Sequence, residues 1–213
     1  MTANRNHAHD AGHAAAVVFD FGNVLISWQP GLAVAAGLGD EEARRFLADA
    51  EFDFMAWNQR QDAGRPWAEA LAEVREASPQ WAPHAEAYLT HFPASLAEVP
   101  GTADIVRDLH AAGVPLFGLT NWSAELYPHA PERFEVVALL DDVVVSGQVK
   151  AAKPDPRAFE IVAERAGQPP GRLVFVDDSP TNVEAAAAFG MDAILFTGAD
   201  DLRAALKERG LPA

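Results

Sequence analysis

The sequence predicts an α/β fold, a doubly wound parallel sheet into which an α-helical cap is inserted. Short apolar runs recur along the chain, and each ends in polar or turn-forming residues, which is typical of buried parallel strands. From Gly101 onwards these runs alternate with helical patterns, which favours a parallel sheet that is covered on both faces. Residues 30–97 break the alternation because they contain no strand-like run. An all-helical stretch after the first strand predicts a cap over the sheet.

The first predicted strand, residues 15–19, ends abruptly at Asp20 and is followed by Gly22 and Asn23. Four later runs have the same form, an apolar segment that stops at a polar one. They cover residues 114–119, 142–145, 173–176 and 193–196. We therefore expect five strands in the sheet.

Helical patterns fill the gaps between these runs. Ile105, Val106 and Leu109 fall on one helix face, and similar faces recur before Gly167 and Gly190, where helices should end. The pairs predicted to open helices are Asp155-Pro156 and Ser179-Pro180. The helix-compatible pieces of the cap are residues 40–50, 52–60, 66–77 and 84–92.

Composition excludes several classes of protein. The 213 residues include 16 Lys and Arg against 31 Asp and Glu, for a net charge of −15, and no cysteine. With 49% hydrophobic residues the chain can bury a core, which excludes disorder. The lack of cysteine excludes disulfides, thiolate zinc sites and cysteine nucleophiles. Because the chain is acidic, we expect neither nucleic acid nor a membrane surface as a partner.

No targeting signal stands out in the sequence. The first fourteen residues are polar and contain no apolar run, so we expect residues 1–14 to be a mobile leader and not a secretory signal. No run approaches the ~18 apolar residues of a membrane span. We expect a cytoplasmic protein, and the sequence leaves its oligomeric state open.

Polar residues capable of chemistry follow three of the predicted strands. In an open parallel sheet, ligands bind beyond the carboxyl ends of the strands. Carboxylates that meet there repel one another unless a hard cation such as Mg²⁺ lies between them. A lysine and a hydroxyl near that cation would cradle a dianionic phosphoryl group, and one carboxylate could attack it. The candidate residues at this edge are Asp20, Thr120, Asn121, Lys153, Asp177 and Asp178.

Four segments resemble, in order, the four motifs of the haloacid dehalogenase-like (HAD) hydrolases. The segments are Phe-Asp-Phe-Gly-Asn-Val-Leu at 19–25, Leu-Thr-Asn at 119–121, Lys-Pro-Asp-Pro at 153–156 with Phe159, and Val-Asp-Asp-Ser at 176–179 with Asn182 and Val183. The joint match is specific, although each motif alone is weak. It implies a HAD-like Rossmannoid core at residues 15–29 and 98–213. It also implies a cap at 30–97, which we expect to move as a unit.

The resemblance implies a Mg²⁺ site with Asp20 as both nucleophile and ligand. The backbone carbonyl of Gly22 would be a second ligand. Asp178 would be the direct carboxylate ligand from the fourth motif, and Asp177 an outer or alternate one. We expect Asn182 to orient this acidic pair.

The resemblance also implies which residues bind phosphate. Thr120 and Lys153 would act in catalysis beside Asp20, and Lys150 would be a surface residue because no proline follows it. The residues expected to bind phosphate are Asn23, Thr120, Asn121 and Lys153. Residues that could contact substrate are Trp28 and Trp122, at the entrance, and Trp57, from the cap, whose spacing fits core packing equally well.

Position 22 departs from the pattern of the family's phosphatases. They usually carry a second Asp two residues after the nucleophile, as the general acid and base, but this chain has Gly22. The leading interpretation is a Mg²⁺-dependent phosphatase for a small phosphate ester, such as a sugar phosphate, because an anomeric oxygen leaves with little acid help. The first motif is similar to that of the family's bacterial α-glucose-1-phosphate phosphatases. Asn23, a cap residue or a water could assist the leaving group.

Other functions stay open on the sequence. A 2-haloacid dehalogenase would use Asp20 as the nucleophile and need no acid, because a halide leaves. The acidic pair argues against it, while Arg60 and Arg65 are candidates for a residue that binds the haloacid carboxylate. A weakly catalytic binding module and a phosphomutase are the remaining alternatives.

Overall fold

The computed structural model describes residues 14–213. A five-stranded sheet forms its centre, in the order β5-β4-β1-β6-β7, and every neighbouring pair is parallel. The strands are β1 Ala16–Phe19, β2 Ile26–Trp28, β3 Leu96–Glu98, β4 Leu116–Thr120, β5 Asp142–Val145, β6 Leu173–Asp177 and β7 Asp192–Leu195. The predicted α/β class with a parallel sheet is confirmed.

The two remaining strands form a small separate ribbon. β2 and β3 pair antiparallel, with Ile26 opposite Glu98 and Trp28 opposite Leu96. The sequence analysis did not predict this ribbon, and Leu96 lies inside the stretch that was expected to contain no strand. The reason is length, because a three-residue strand shows no period that can be read from sequence.

Five α-helices lie between β2 and β3. They are α1 Pro30–Leu38, α2 Asp40–Leu47, α3 Phe54–Asp62, α4 Trp67–Ala77 and α5 Ala82–Thr90. The last four overlap the four predicted pieces, whereas α1 was missed because its small and apolar residues form no amphipathic stripe. We call residues 30–90 the helical insert. Its interior is an aromatic cluster of Phe46, Phe54, Trp57, Trp67, Trp81 and Tyr88.

Six more α-helices follow β3. They are α6 Thr102–Ala111, α7 His129–Arg133, α8 Ser146–Val149, α9 Pro156–Ala166, α10 Pro180–Phe189 and α11 Ala199–Glu208. Gly167 and Gly190 end α9 and α10 in the left-handed conformation, as predicted. Asp155 caps α9 by accepting a hydrogen bond from the N–H of Arg157. Short 3₁₀ helices occur at Pro79–Trp81, Phe92–Ser95, Glu135–Leu139 and Pro170–Arg172.

Side chains of β1 alternate between two apolar layers. Val17 and Phe19 point into one layer together with Ile105 of α6 and the aromatic cluster of the helical insert. Val18 points into the other, where it meets Phe159 of α9. Both faces of the sheet are therefore covered, which explains why its strands are apolar at consecutive positions.

The register of the sheet fixes where its polar residues lie. Phe19, the last residue of β1, pairs with Gly118 of β4 and with Val176 of β6. The residues that follow in each strand, Asp20 and Asp177 among them, therefore reach the same edge. This edge is where strand order reverses about β1, which is the usual ligand crevice of an open α/β sheet.

The remaining predictions concern the leader, membrane spans and the cap. Of the expected leader, residues 1–13 lie outside the described residues, whereas Ala14 packs against the core. In the range 14–213, no helix is both long and apolar enough to cross a membrane. The division into core and cap, and the movement of the cap, stay predictions.

Candidate active site

Three carboxylates meet at the carboxyl edge of the sheet. Asp20 follows β1, Asp177 ends β6, and Asp178 comes next in the chain. One carboxylate oxygen from each lies within 4.8 Å of the other two. Asp177 is fully buried and Asp20 is 7% exposed, while Asp178 is only half-buried. Acids this close repel one another when ionised, which raises their pKa values or favours a cation among them.

Lys153 supplies one positive charge to this cluster. Its Nζ lies 2.8 Å from Oδ1 of Asp20 and 2.6 Å from Oδ2 of Asp177, and its side chain is 1% exposed. Burial acts to lower the pKa of Lys153, but the two carboxylates outweigh it and the pKa is raised. Burial, reinforced by Asp177 and opposed by Lys153, raises the pKa of Asp20 to about 7. Lys153 thus stays charged, whereas Asp20 is poised between its two forms.

Asn121 holds the backbone of Lys153 in place. Its side-chain Nδ2 donates to the carbonyl oxygen of Lys153, and the N–H of Lys153 donates to Oδ1 of Asn121, both at 2.8 Å. The amide of Asn121 is therefore engaged on both sides. A phosphate could meet the backbone of Asn121 or the second hydrogen of Nδ2.

Asp177 is hydrogen-bonded by protein donors at both oxygens. Nδ2 of Asn182 donates to each of them at 3.1 Å, and the N–H of Ser179 donates to Oδ1 at 2.8 Å. With Lys153 on Oδ2 as well, Asp177 suits a supporting position better than direct contact with a metal. The structure brings Asn182 to the acidic pair, on the side of Asp177.

Asp178 faces Asn23 from across the site. Nδ2 of Asn23 donates to Oδ2 of Asp178 at 3.2 Å, and Oδ1 of Asn23 accepts from the N–H of Trp28 at 3.3 Å. Asn23 adopts a left-handed backbone with φ 55°, which asparagine tolerates better than most residues. Burial raises the pKa of Asp178, and Asn23 partly offsets the effect.

Gly22 leaves room for a Cβ beside Asp20. A Cβ at this position would meet only Oδ2 of Asp20, at 3.9 Å, which is ordinary van der Waals contact. Packing around the Cβ position therefore does not demand glycine at position 22.

A cavity opens next to Gly22, between the sheet edge and the helical insert. Thr120, which ends β4 and is 1% exposed, lies on the sheet side, and Trp28 and Trp122 line the cavity as the sequence analysis expected. The complete lining is Gly22, Ile26, Trp28, Asn58, Asp62, Tyr88, Phe92, Leu96, Thr120, Asn121, Trp122 and Leu126. The floor is therefore polar and the walls are mostly apolar, as in many small-molecule sites.

Trp57 is not part of this lining, which corrects the suggestion that it contacts substrate. Its side chain is 1% exposed and packs against Phe54 and Trp67. The physical reason is its place on α3, where it faces the aromatic cluster and not the sheet. Lys150 is exposed, as expected.

Sequence analysis missed two cavity residues that carry titratable groups, Asp62 and Tyr88. Asp62 is the last residue of α3 and Tyr88 lies on α5. The available signal was weak. Asn58 and Asp62 lie four residues apart, on one helix face, and the buried Phe54 lies on the same face.

Hydrogen bonds join the helical insert to the sheet edge. Oγ of Ser146 donates to the carbonyl oxygen of Asp62 at 2.5 Å. From the other side, the indole N–H of Trp67 donates to Oγ of Ser123 at 2.9 Å, and the backbone N–H of Trp67 donates to Glu125 at 2.9 Å. The helical insert is thus docked on the sheet and closes the cavity from above.

The donor set at the sheet edge fits a hard cation. It offers carboxylate oxygens from Asp20 and Asp178, with no thiolate or imidazole in the cluster. Mg²⁺ prefers this chemistry and keeps water in its remaining positions. The positive charge of such an ion and of Lys153 would together attract a dianion into an acidic protein.

The sequence of this chain is similar to that of known hydrolases. The family model for haloacid dehalogenase-like hydrolases matches residues 14–190. The phosphoglycolate phosphatase of Escherichia coli (strain K12) is 32% identical over 98 residues, which are 46% of this chain and 39% of that protein. The chain thus matches less than half the length of this curated relative.

Solved structures resemble this one in fold. A HAD family enzyme from Bacteroides thetaiotaomicron, solved as a magnesium complex, superposes with a TM-score of 0.71 at 20% identity, covering 92% of this chain and 100% of that one. A dehalogenase superposes with a TM-score of 0.64 at 22% identity, covering 85% and 84%. At these identities the likeness shows the fold alone.

Proposed function

The chain belongs to the haloacid dehalogenase-like hydrolases, and we propose that it is a Mg²⁺-dependent phosphatase that hydrolyses a small phosphate ester through an aspartyl phosphate on Asp20. The observation that carries this proposal is the convergence of Asp20, Asp177 and Asp178 within 4.8 Å. A dehalogenase has no use for such an acidic cluster, whereas a phosphatase needs it for a metal ion.

The metal ligands of the proposed enzyme are Asp20, Asp178 and the backbone carbonyl of Gly22, with Asp177 behind them. When bound, Mg²⁺ neutralises the charge that develops on the phosphoryl oxygens during transfer. Lys153 would stabilise the same charge, since its raised pKa keeps it protonated. Asn121 and Asn182 hold Lys153 and Asp177 in position.

Phosphoryl transfer then proceeds in two steps. Asp20 attacks phosphorus, the bond to the ester oxygen breaks, and the alcohol leaves. The hydroxyl of Thr120 and the ammonium of Lys153 donate to the transferring oxygens. Water then attacks the phosphorus of the aspartyl phosphate, which releases inorganic phosphate and restores Asp20.

We infer the substrate class from the cavity and from the relatives. Trp28 and Trp122 offer aromatic walls that suit a sugar ring, and the space is bounded by the helical insert. The curated relative named phosphoglycolate phosphatase supports a small anionic ester. The screen should therefore include sugar 1-phosphates, sugar 6-phosphates and phosphoglycolate.

A second candidate is a 2-haloacid dehalogenase, favoured by the absence of an acid at Gly22 and by the fold likeness to a dehalogenase. Its weakness is the lack of a cation for the substrate carboxylate. No arginine lines the described cavity, and Arg60 and Arg65 both pair with Glu73 instead. Chloride release from 2-chloropropionate without added metal would favour this candidate.

The proposed function is tested by hydrolysis of phosphate esters, starting with p-nitrophenyl phosphate, with Mg²⁺ and with EDTA. We expect turnover only with Mg²⁺, and a loss of about 10⁴-fold or more in Asp20→Asn, because the amide cannot act as the nucleophile. Thermal unfolding checks that the variant is folded. A folded, Mg²⁺-loaded protein that turns over neither esters nor haloacids would contradict both enzymatic functions and leave a binding module.

A further inference from the structure

The proposed phosphatase lacks a proton donor beside its nucleophile, because position 22 is glycine. The alcohol of an alkyl ester leaves slowly unless its oxygen is protonated as the bond to phosphorus breaks. We propose that Asp62, which ends α3, is the general acid and base of this enzyme and supplies from the helical insert the carboxyl group that position 22 lacks. This inference rests on the proposed phosphatase function.

Asp62 lies in the cavity where the leaving group would be. Asp62 lines the cavity that Gly22 and Thr120 line from the opposite side. Among the described residues that form this lining, Asp62 is the only one with a carboxyl group. A side chain at position 22 would begin at the same cavity, since Gly22 is part of its lining and a Cβ there would meet only Oδ2 of Asp20. The two positions can therefore serve the same leaving group.

The surroundings of Asp62 hold its carboxyl group without an ion pair. Nδ2 of Asn58 donates to Oδ2 of Asp62 at 2.8 Å, and the hydroxyl of Tyr88 donates to Oδ1 of Asn58 at 3.2 Å. The backbone N–H of Ser123 faces the carboxyl group from the sheet side, and no cationic side chain of the described chain acts on it. These N–H donors favour the ionised carboxylate, so it is burial without a cationic partner that favours the neutral, proton-donating form.

The pKa of Asp62 agrees with these surroundings. Burial raises the pKa of Asp62 to about 8, against a smaller opposing effect of Ser123. A group with a pKa near the working pH is an efficient donor in one step and an efficient acceptor in the next. Tyr88 cannot take this role, because burial and the nearby Asp62 raise its pKa well above the usual value.

Protons balance over the two steps. In the first step Asp20 forms a bond to phosphorus, the bond from phosphorus to the ester oxygen breaks, and that oxygen takes the proton of Asp62. In the second step water attacks phosphorus, its proton passes to the Asp62 carboxylate, and the bond from phosphorus to Asp20 breaks. Water is the only co-reactant, and both aspartates return to their starting forms.

The position of Asp62 also links the acid to docking of the helical insert. The carbonyl of Asp62 accepts from Ser146 at 2.5 Å, so the end of α3 is fastened directly to the sheet edge. The acid therefore lies opposite Gly22 only while the insert is docked. Chemistry would wait for an enclosed cavity, which also keeps bulk water away from the reacting group.

The test compares Asp62→Asn with wild type on two kinds of ester. For an alkyl phosphate we expect kcat/KM to fall by about 10²- to 10⁴-fold, which is the typical contribution of a general acid. For p-nitrophenyl phosphate we expect a fall of less than about tenfold in kcat/KM, because nitrophenolate leaves without a proton. The limb of the wild-type pH profile that reports loss of activity above about pH 8 should disappear.

The matched control is Asp53→Asn, at the other end of α3. Asp53 is exposed and caps the helix by accepting from the N–H of Ala56, which asparagine also does. This variant makes the same Asp-to-Asn change at the opposite end of the helix and should leave both kcat/KM values unchanged. The double variant Gly22→Asp with Asp62→Asn should regain activity towards the alkyl ester, because it restores a carboxyl group to the cavity and a Cβ at position 22 makes only ordinary van der Waals contact.

Equal losses for both esters with the alkaline limb retained would show that Asp62 only supports the structure, and would overturn the inference. Full activity of Asp62→Asn towards the alkyl ester would overturn it as well, while Mg²⁺-dependent turnover that needs Asp20 would leave the proposed function intact. If wild type hydrolyses no phosphate ester, the proposed function fails and the inference fails with it.

Discussion

The ammonium group of Lys153 lies 2.8 Å from a carboxylate oxygen of Asp20, in a site where the lysine side chain is 1% exposed. Lys153 touches Asp177 as well, so it is the positive charge on which two buried acids depend. A buried ion pair of this kind contributes little net stability, but breaking it leaves an uncompensated charge. The same contact also sets the charge of the proposed nucleophile.

Replacing this lysine should therefore damage both stability and activity. We expect Lys153→Met to lower the free energy of unfolding by roughly 3 to 5 kcal/mol, because Asp20 and Asp177 lose their partner. Phosphatase activity should fall below the limit of detection. Urea unfolding measures the first effect, with Lys207→Met, at an exposed site on α11, as the control. A loss of less than about 1 kcal/mol would show that the two acids do not depend on Lys153.

Thr120 and Thr102 offer a matched pair of buried hydroxyl groups. Thr120→Val should lower kcat/KM for phosphate esters by about 10- to 100-fold, since one donor to the phosphoryl oxygens is lost. The hydroxyl of Thr102 is buried on α6 without a hydrogen-bond partner among the described residues. Thr102→Val should leave activity unchanged and be neutral or slightly stabilising. Equal activity of both variants would remove Thr120 from the proposed mechanism.

Asn182 acts through Asp177, to which it donates at both oxygens. We expect Asn182→Ala to weaken the apparent affinity for Mg²⁺ by about 10- to 100-fold, as is typical when a residue behind the ligands is lost. The shift of the melting temperature with Mg²⁺ concentration reports this without an activity assay. Thr181→Ala, at an exposed neighbouring position on α10, is the control. An unchanged Mg²⁺ dependence would contradict the proposed orienting role.

The raised pKa of Asp62 predicts how stability depends on pH. The pKa is 3.8 for an ordinary aspartate and about 8 in the folded protein, so the folded state binds more protons between these values. The contribution of Asp62 to stability therefore decreases as pH rises through this window. Relative to wild type, Asp62→Asn should gain stability from pH 5 to pH 8. Denaturant unfolding at both values measures the gain, and an unchanged difference would contradict a neutral Asp62 carboxyl group in the folded protein.

Sequence patterns predicted the sheet well because of where its strands lie. Strands buried on both faces must be apolar at nearly every position. The ends of β1, β4 and β6 could therefore be predicted from sequence to within two residues. The β2-β3 ribbon and α1 were missed for the opposite reason. Their segments are short, or uniform in hydrophobicity, and their place is set by packing against the rest of the chain.

In the site too, residues at strand ends could be predicted from sequence, and a residue placed by the packing of a helix could not. Asp20, Thr120 and Asp177 could be proposed from sequence because each stands at the end of a strand, and the sheet brings such ends together. Asp62 could not be proposed, since it comes from a helix of the insert. No residue spacing in the sequence indicates which end of α3 lies opposite Gly22 in the folded protein. A pair such as Asn58 and Asp62 is also common on exposed helices, where it has no function.

The central claim is that Asp20 carries a phosphoryl group during turnover. The most direct measurement is an acid quench within the first turnover of a phosphate ester with Mg²⁺, at comparable enzyme and substrate concentrations, followed by mass spectrometry of the digested protein. We expect a phosphoryl group on the wild-type peptide that contains Asp20, and none in Asp20→Asn. A first turnover that releases phosphate with no phosphorylated peptide, or a phosphoryl group on another residue, would contradict it.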